Sequence, residues 1–217
     1  MLSSHLALPR EGHLEAVYFI FAYLKKKHNT RMVFDPTYPD IDMTKFEECD
    51  WKPFYDNVEE ALPPNAPPPR GKTVDTRLFV DADHAGDRIT HRSRTGFFIF
   101  LNGAPIVWYS KRQNTVESSV FGSEFVALKT GMETVRGLRY KLRMMGVLID
   151  TPTYTYGDNL AVIRNVSKPE STIKKKHNSV CYHVVCKSVA MGKIACTYEA
   201  SISNPTDIAT KALPGGA

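Results

Sequence analysis

Three strand-like segments follow one another in the middle of the chain with no helical pattern between them, and this order constrains the fold more than any other feature. Apolar and β-branched residues dominate residues 77–80, 95–101 and 105–109, and the pair Asn102-Gly103 is a hairpin turn signal. Strands joined by short turns pair antiparallel, whereas a strand that follows a helix is free to pair parallel. The order therefore predicts a mixed sheet and excludes a regular alternation of strands and helices.

Helical and strand patterns follow this group of strands. A long helix is predicted over residues 117–145, where apolar residues recur on one face and Gly146 provides a stop signal. The later elements, in chain order, are a strand at 154–156, helices at 159–166 and 177–191, a strand at 194–198 and a last helical turn after residue 204. The sequence thus predicts an α/β fold with a five-stranded mixed sheet flanked by helices.

Proline divides the chain into three parts. Residues 35–72 contain eight of the fourteen prolines, so this stretch can continue neither a helix nor a central strand. We expect a linker or irregular insertion there, docked on a neighbouring surface through Trp51, Phe54 and Tyr55. The expected parts are an N-terminal helical segment, a proline-rich linker and the main domain, at residues 1–34, 35–73 and 74–217.

Charge and cysteine content narrow the class of protein. The net charge is +5. Residues 159–217 contain eight Lys and Arg but only three Asp and Glu, so this part alone also carries a charge of +5. Such an excess is typical of a polyanionic partner, but also of an ordinary solvated face. The apolar run at residues 16–24 is much shorter than the about 20 residues that cross a bilayer, and no signal peptide is visible. Four unevenly spaced cysteines favour a reducing, cytoplasmic setting.

Four acidic residues stand where predicted strands end or helices begin. Asp81 ends the first strand, Glu124 lies early in the long helix, Asp158 ends the fourth strand and Asp207 opens the last helix. These positions converge at one edge of an open sheet, where four carboxylates repel one another unless cations neutralise them. Mg²⁺ prefers such oxygen ligands, and two ions about 4 Å apart can support phosphodiester cleavage. Helix caps and turn residues explain the same positions equally well, so the pattern alone leaves both interpretations open.

A second group of potential metal ligands is less specific. His177, Cys181, His183 and Cys186 lie close in sequence, but they lack the paired spacings of structural zinc sites. Packing positions are the simpler interpretation of both cysteines.

An ordered series of short motifs runs through the main domain. The first are Val80-Asp81-Ala82-Asp83-His84-Ala85-Gly86-Asp87, Arg92-Ser93-Arg94-Thr95-Gly96-Phe97 and Trp108-Tyr109-Ser110-Lys111-Arg112-Gln113. The next are Val116-Glu117-Ser118-Ser119, Ser123-Glu124-Phe125, Tyr156-Gly157-Asp158-Asn159, Lys174-Lys175-Lys176-His177, Tyr182-His183 and Asn204-Pro205-Thr206-Asp207-Ile208-Ala209-Thr210-Lys211. Each motif is weak alone, but the ordered set resembles the RNase H domain of copia-type LTR-retrotransposon polyproteins over residues 74–214.

The N-terminal part extends this resemblance. A helix is expected from about residue 11 to residue 27, and the chain around it reads Leu8-Pro9-Arg10-Glu11-Gly12-His13-Leu14-Glu15-Ala16 and then Tyr23-Leu24-Lys25. This stretch resembles the segment that joins the polymerase to RNase H in the same polyproteins. The Tyr-x-Asp-Asp motif of a polymerase palm is absent from the sequence.

The resemblance implies an RNase H-like fold and a metal-dependent endonuclease that hydrolyses the RNA strand of RNA–DNA hybrids within a reverse transcriptase. It implies Asp81, Glu124, Asp158 and Asp207 as catalytic, metal-binding carboxylates for two Mg²⁺ ions, with Mn²⁺ as the alternative metal. Asp83 is the runner-up to Asp81, which we prefer because it directly follows the apolar strand residues.

The implied partners are an RNA–DNA hybrid and the polymerase part of the same polyprotein, inside the cell or in retroelement particles and away from membranes. Selectivity for RNA would come from groove shape and 2′-hydroxyl contacts. Polar and basic side chains near the site are the expected contacts to sugars and phosphates: Gln113, Ser119, Asn159, Arg94, Lys111, Arg112, Lys174, Lys175 and Lys176.

Departures from the family pattern keep a second function in view. His84 stands where copia-type sequences commonly have Trp, and Ala200-Ser201-Ile202-Ser203 is an unusual lead into the last motif. The last helix is also expected to be short, which would hold Asp207 less firmly. The alternative is therefore a catalytically inactive retroelement remnant that binds nucleic acid. An integrase core is less favoured, because its Glu belongs on a late helix.

Overall fold

Five strands form one mixed sheet in the order β3-β2-β1-β4-β5. A computed structural model of the chain describes residues 6–87, 89–170 and 179–211. The first three strands pair antiparallel, and the last two run parallel to β1. The strands are β1 (Thr76–Asp83), β2 (Arg94–Leu101), β3 (Ala104–Arg112), β4 (Thr153–Gly157) and β5 (Ile194–Tyr198). The predicted α/β class and the five-stranded mixed sheet are confirmed.

The helices lie close to their predicted positions. The described residues form α1 (Glu11–Lys26), α2 (Lys52–Tyr55), α3 (Val120–Met144), α4 (Leu160–Ser167), α5 (Ser179–Ala190) and α6 (Asp207–Thr210), with a 3₁₀ turn at Met43–Lys45. The long helix begins three residues later than expected because Ser119 caps it, accepting a hydrogen bond from the backbone N–H of Gly122. The predicted start of the fifth helix, residues 177 and 178, lies outside the described residues.

The core forms where α3 crosses the sheet. Leu78 on β1 and Phe125, Leu128 and Met132 on α3 are almost fully buried, and each contributes about 1.5–3 kcal/mol by burial. A Cβ on Gly131 would lie only 3.1 Å from Cδ1 of Leu78. Glycine at this position therefore lets the helix backbone approach the central strand closely.

The other face of the sheet carries a layer of aromatic side chains. Phe79 stacks on Tyr156 with ring centroids 4.7 Å apart, and the guanidinium of Arg77 lies 5.2 Å from the ring centroid of Phe100. Phe46, from the proline-rich stretch, meets the rings of Tyr154 and Tyr156 edge-on. The proline-rich stretch therefore covers part of this face.

Residues 35–73 pack against the sheet instead of forming a free linker. The chain divides into two units between Phe34 and Asp35, so this stretch belongs to the unit that contains the sheet. Thr197 on edge strand β5 donates a hydrogen bond to the backbone carbonyl of Lys45, 2.8 Å away. Trp51 is buried in the core, whereas Phe54 is exposed. The three-part division at 34 and 73 stays a prediction, but the expected linker is packed on the main domain.

The first unit contains α1, whose side chains are all at least partly exposed. Its large apolar residues are among the most exposed of the described chain, with Phe19 at 76% and Phe21 at 63%. The helix predicted from periodicity is confirmed, and its large apolar side chains are exposed in the described part of the chain. None of the helices among the described residues is long and apolar enough to cross a membrane.

An ion cluster fastens the proline-rich stretch to α3. The carboxylate of Glu60 lies 3.0 Å from Nη2 of Arg139 and 2.7 Å from Nη2 of Arg143. Arg139 is buried and also donates to the carbonyl of Thr151. Burial opposes ionisation of Glu60, but the hydrogen bonds from Arg143 and Arg139 outweigh it and lower its pKa to about 2. The negative charge of Glu60 is therefore part of the fold.

Glu60→Gln is expected to lower the free energy of unfolding at pH 7 by about 2–4 kcal/mol, because two guanidinium groups lose their counter-charge. The folded pKa of Glu60 lies below the ordinary 4.5, so the contribution is present above that pH and is lost as pH falls towards about 2. Urea unfolding at pH 7 and pH 3 measures both effects.

The matched control is Glu133→Gln, which removes an exposed pair with Lys129 on the same helix. It should change the unfolding free energy by less than about 0.5 kcal/mol. Equal losses in the two variants would show that the Glu60 cluster does not hold the stretch to α3.

Candidate metal centre

Three carboxylates converge where β1, β4 and α3 meet. One oxygen each of Asp81, Glu124 and Asp158 can be chosen so that all three lie within 4.8 Å of one another. In the parallel pairing of β1 with β4, Val80 stands opposite Gly157, so the aspartates that follow these two residues come side by side. Glu124 reaches the same point from the first turns of α3.

Like charge and burial dominate the electrostatics of this cluster. Asp81 and Glu124 are 3% and 8% exposed, and Asp158 is partly exposed. Burial, followed by the charges of Asp81 and Asp158, raises the pKa of Glu124 to about 9. Burial also raises the pKa of Asp81, although a hydrogen bond from Thr210 opposes this. Among the described residues, Lys211 acts in the opposite direction on both pKa values, but its effect is smaller than that of burial.

This donor set fits a hard divalent cation. All three groups offer oxygen ligands, as Mg²⁺ and Mn²⁺ require, and a partly open position at Asp158 leaves access for water and a phosphate. The electrostatics of the cluster also favour a cation, because a positive ion would reduce the repulsion between carboxylates that helps to raise the pKa of Glu124. Asp81, Glu124 and Asp158 are the residues that would hold the ion.

Asp207 stands beside this group without joining it. Its carboxylate lies 2.5 Å from Nζ of Lys211, the C-cap residue of the same short helix. Its charge still helps to raise the pKa of Asp81, after the larger effects of burial and of Asp158. Three of the four expected carboxylates therefore come together, and the role of Asp207 as a fourth ligand stays a proposal.

Hydroxyl and amide groups from the last part of the chain hold the aspartates. Thr210 donates a hydrogen bond to Oδ2 of Asp81, and Ser201 donates to Oδ2 of Asp158 across 2.8 Å. Asn204 donates to the backbone carbonyl of Val80, 3.2 Å away, next to Asp81. The sequence analysis did not identify these three residues as part of the site. The one available signal was that polar residues recur every few positions in a short segment after the last strand.

Close approach of α6 to the sheet depends on Gly96, which stands opposite Asp81 in the β1–β2 ladder. A Cβ on this glycine would lie 2.5 Å from Cγ2 of Thr210 and 3.0 Å from Cβ of Ala209. Ser110 on β3 also donates to the carbonyl of Ala209, 2.6 Å away. An isolated glycine inside an apolar strand is the sequence signal for such an approach.

Gly96→Ala is expected to push α6 off the sheet and to lower the free energy of unfolding by about 1–3 kcal/mol, because the added methyl has no space. Amide hydrogen exchange should show faster exchange across α6. Gly137→Ala is the control, since a Cβ there meets nothing within 4 Å and alanine favours a helix by up to about 1 kcal/mol. Unchanged exchange in α6 after Gly96→Ala would contradict this packing.

The polar residues expected to contact sugars have structural partners. Gln113 is buried and donates from Nε2 to Oγ1 of Thr95 and to the carbonyl of Ser123, which fixes the start of α3 beside Glu124. Ser119 caps α3, and Asn159 caps α4 by accepting from the backbone N–H groups of residues 161 and 162. Their capping positions explain why small polar residues occur there. Contacts from Ser119 and Asn159 to nucleic acid stay predictions.

The basic residues that were predicted to contact phosphates divide into two groups. Three of them lie on β2 and β3, and the other three lie outside the described residues. Arg94 and Arg112 face each other across β2 and β3, and Arg112 lies 2.5 Å from Oδ2 of Asp87. Lys111 is exposed on β3. Lys174, Lys175 and Lys176 lie outside the described residues. Contacts from all six basic residues to phosphates stay predictions.

Asp83 and His84 follow Asp81 closely in the sequence. Asp83 ends β1 but is not a member of the group of three, which includes Asp81 instead. His84 is partly buried, with Nδ1 3.3 Å from Oγ of Ser123.

The zinc interpretation concerned His177, Cys181, His183 and Cys186. His177 lies outside the described residues. Nδ1 of His183 lies 2.9 Å from the hydroxyl of Tyr55, so this nitrogen already has a hydrogen-bond partner.

Glu124→Gln is expected to make the cation-free protein less sensitive to pH. The folded pKa of Glu124 lies above the ordinary 4.5, so the folded state holds the extra proton and stability falls as pH rises from about 4.5 towards about 9. Glutamine removes the ionisable group and can still accept the hydrogen bond from the backbone of Ala82. In EDTA the variant should melt at a higher temperature than the parent protein at pH 8.

Thermal melts at pH 5 and pH 8 measure this change, with Glu133→Gln as the exposed control on the same helix. The control should keep the pH dependence of the parent. A Glu124→Gln variant that loses stability between pH 5 and pH 8 as steeply as the parent would contradict the charge repulsion.

Comparison with known proteins identifies the class of fold first. LC11 RNase H1, solved in complex with an RNA/DNA hybrid, superposes with a TM-score of 0.50 at 12% sequence identity, covering 63% of this chain and 94% of that one. The five-stranded sheet with its flanking helices is the RNase H fold. No protein-family profile matches the chain.

Sequence relatives extend the comparison beyond the fold. The chain is 26% identical over 144 residues to the retrovirus-related Pol polyprotein from transposon RE1 of Arabidopsis thaliana. It is 30% identical over 137 residues to that from transposon TNT 1-94 of Nicotiana tabacum. The matches cover 66% and 63% of this chain but only 10% of each relative. The chain is thus homologous to copia-type Pol polyproteins over about two thirds of its length, which confirms the resemblance found in its motifs.

Proposed function

We propose that this protein is a metal-dependent endonuclease that hydrolyses the RNA strand of RNA–DNA hybrids, as the RNase H part of a retrotransposon reverse transcriptase. The observation that carries the proposal is the convergence of Asp81, Glu124 and Asp158, buried like charges on an RNase H fold. The Pol polyprotein relatives support the same class of substrate.

The chain's own residues would prepare the site for two divalent cations. When bound, such ions supply activation of water and neutralisation of charge on the leaving oxygen. Thr210 and Ser201 fix the carboxylates of Asp81 and Asp158, so that little reorganisation is needed. Glu124 holds a proton at neutral pH in the cation-free protein and must release it to become a ligand. Asp207 would complete the set if its pair with Lys211 opened.

Recognition of the hybrid would rely on its shape and charge. Arg94 and Lys111 lie on the strands that lead to the cluster, where they could meet phosphates of the duplex. Selectivity would come from 2′-hydroxyl contacts near the carboxylates, from residues such as Asn159. The other proposed contacts are Arg112, Gln113, Ser119, Lys174, Lys175 and Lys176.

The polymerase part of the same polyprotein is the proposed protein partner, in an intracellular setting or a retroelement particle. The exposed apolar side chains of α1 support this, because such a helix is stabilised by covering its apolar surface. The relatives are about ten times as long as the matched region, and their names describe Pol polyproteins.

The second candidate is an inactive remnant that binds nucleic acid. Pairing of Asp207 with Lys211, outside the group of three, is the observation that favours it. The two functions differ in one measurable property, which is metal-dependent cleavage.

A labelled RNA annealed to DNA separates the two candidates. With Mg²⁺ or Mn²⁺ the parent chain should cleave the RNA strand, and duplex DNA should stay intact. Asp158→Asn should reduce the rate by more than about a hundredfold, because it removes a charged ligand from the cluster. Asp150→Asn makes the same chemical change in a residue outside the cluster and should leave the rate within about twofold.

Hybrid binding without cleavage by the parent chain, with both metals, would establish the remnant. Equal cleavage by the parent and Asp158→Asn would overturn the assignment of this site. Cleavage that survives Asp207→Asn at the full rate would restrict the metal ligands to the group of three.

A further inference from the structure

A cavity of about 680 Å³ lies at the opposite end of α3 from the carboxylates. Its walls are the last turns of α3, the second half of α5 and residues 60–64 of the proline-rich stretch. Tyr140, which lines it, is 16 residues after Glu124, so the cavity is about 24 Å along the helix from the metal centre. The proposed nuclease chemistry does not use this cavity.

Positive charge dominates its lining. Arg136, Arg143, Lys187 and Lys193 face it, and Glu60 is the one carboxylate among the lining residues. Glu60 already pairs with Arg143 and Arg139, so it neutralises little of the charge of the other cations in the lining. Burial lowers the pKa of Lys193, and the neighbouring guanidinium groups lower it further although Glu60 opposes them.

Two of these cations are available to a ligand. Arg136 and Lys187 are exposed, and neither side chain forms an ion pair or hydrogen bond within the described parts of the chain. Arg136 precedes Tyr140 by four residues and Arg143 follows it by three, so all three share one face of α3. Lys187 stands on α5, on the other wall.

Most of the remaining lining is apolar, and it includes one aromatic residue. Leu62, Pro63, Val184 and Met191 form apolar surface, and Tyr140 is 49% exposed. The volume falls within the range of about 300–1,000 Å³ that is usual for small-molecule sites. A ligand that combines strong negative charge with a flat apolar group would satisfy both parts of this lining.

We infer that this cavity binds a nucleotide, with its phosphates between Arg136, Lys187 and Lys193 and its base against Tyr140. Several phosphate oxygens can each accept from a guanidinium or an ammonium, and a base has the flat face that stacks on an aromatic ring. A free nucleoside triphosphate and the 5′-phosphorylated end of a single strand offer this same chemistry. The site is separate from the metal centre and does not depend on the nuclease function.

Binding is measured on the full chain in EDTA, so that cations at the carboxylates contribute nothing. The probes are ATP, a short single-stranded DNA with a 5′-phosphate, the same DNA without it, adenosine and a polyglutamate peptide. The tightest binding is expected from the phosphorylated probes. The ratio between ATP and the phosphorylated strand identifies which source of the nucleotide the cavity prefers.

The double variant Arg136→Glu/Lys187→Glu should weaken binding of the preferred probe by at least about tenfold. Lys141→Glu is the control, because it makes one charge reversal of the same kind at an exposed position of α3 outside the cavity lining. It should change the affinity by less than about twofold. Tyr140→Leu should weaken ATP by about fivefold to tenfold and leave inorganic triphosphate unchanged.

Three results would overturn the inference. Equal loss in the double variant and in Lys141→Glu would show a general effect of net charge. Polyglutamate binding as tight as ATP, with the same dependence on Arg136 and Lys187, would assign the cavity to an acidic protein partner. No binding of any phosphorylated probe at millimolar concentration, by a chain that melts cooperatively, would leave the cavity without the proposed ligand.

Discussion

The packing of α3 on β1 is the contact on which both the core and the carboxylate cluster depend. Phe125 and Leu128 bury their side chains on this contact, and Glu124, the residue before Phe125, reaches the cluster. The approach is close because Gly131 has no side chain opposite Leu78. A displaced helix would therefore lose apolar burial and the position of Glu124 together. The apolar burial of α3 therefore stabilises a site in which like charges lie close together. The hydrogen bonds within the cluster offset this repulsion only in part.

The two halves of α3 meet opposite electrostatic conditions. Its beginning carries Glu124 among aspartates, where negative charge is in excess, and its end carries arginines around a single Glu60. An anionic site and a cationic site thus share one rigid element, and Glu60 limits the repulsion at the cationic end. The proposed metal centre and the proposed nucleotide cavity thus lie near opposite ends of the same helix.

Periodicity and turn chemistry were sufficient to predict most of the fold. The hairpin at Asn102-Gly103 and the stripe of α3 depend on local physics, so their elements were found within a few residues. The course of residues 35–73 was not predictable in this way, because it is set by single contacts such as those of Phe46 and Glu60 with distant elements. Proline content indicates an irregular path but not its direction.

The candidate site was predictable only in part for the same reason. The strand and helix positions of Asp81, Glu124 and Asp158 follow from the pattern, and the structure brings these three together. Pairing of Asp207 with Lys211, one helical turn away, is a local choice between two partners that spacing does not decide. The hydroxyl of Thr210 and the space at Gly96 depend on tertiary approach, which leaves little trace in a single sequence.

The hydrogen bond from Thr210 to Asp81 joins residues 129 positions apart, and this separation sets an order of events during synthesis. At about 5–20 residues per second, the ribosome makes Asp81 roughly 6–26 seconds before its partner. Most of the sheet can pair while the chain is still growing, but the aspartate is held only after the last short helix has emerged. The hydrogen bond that holds Asp81 would thus form only after all five strands of the sheet have been synthesised.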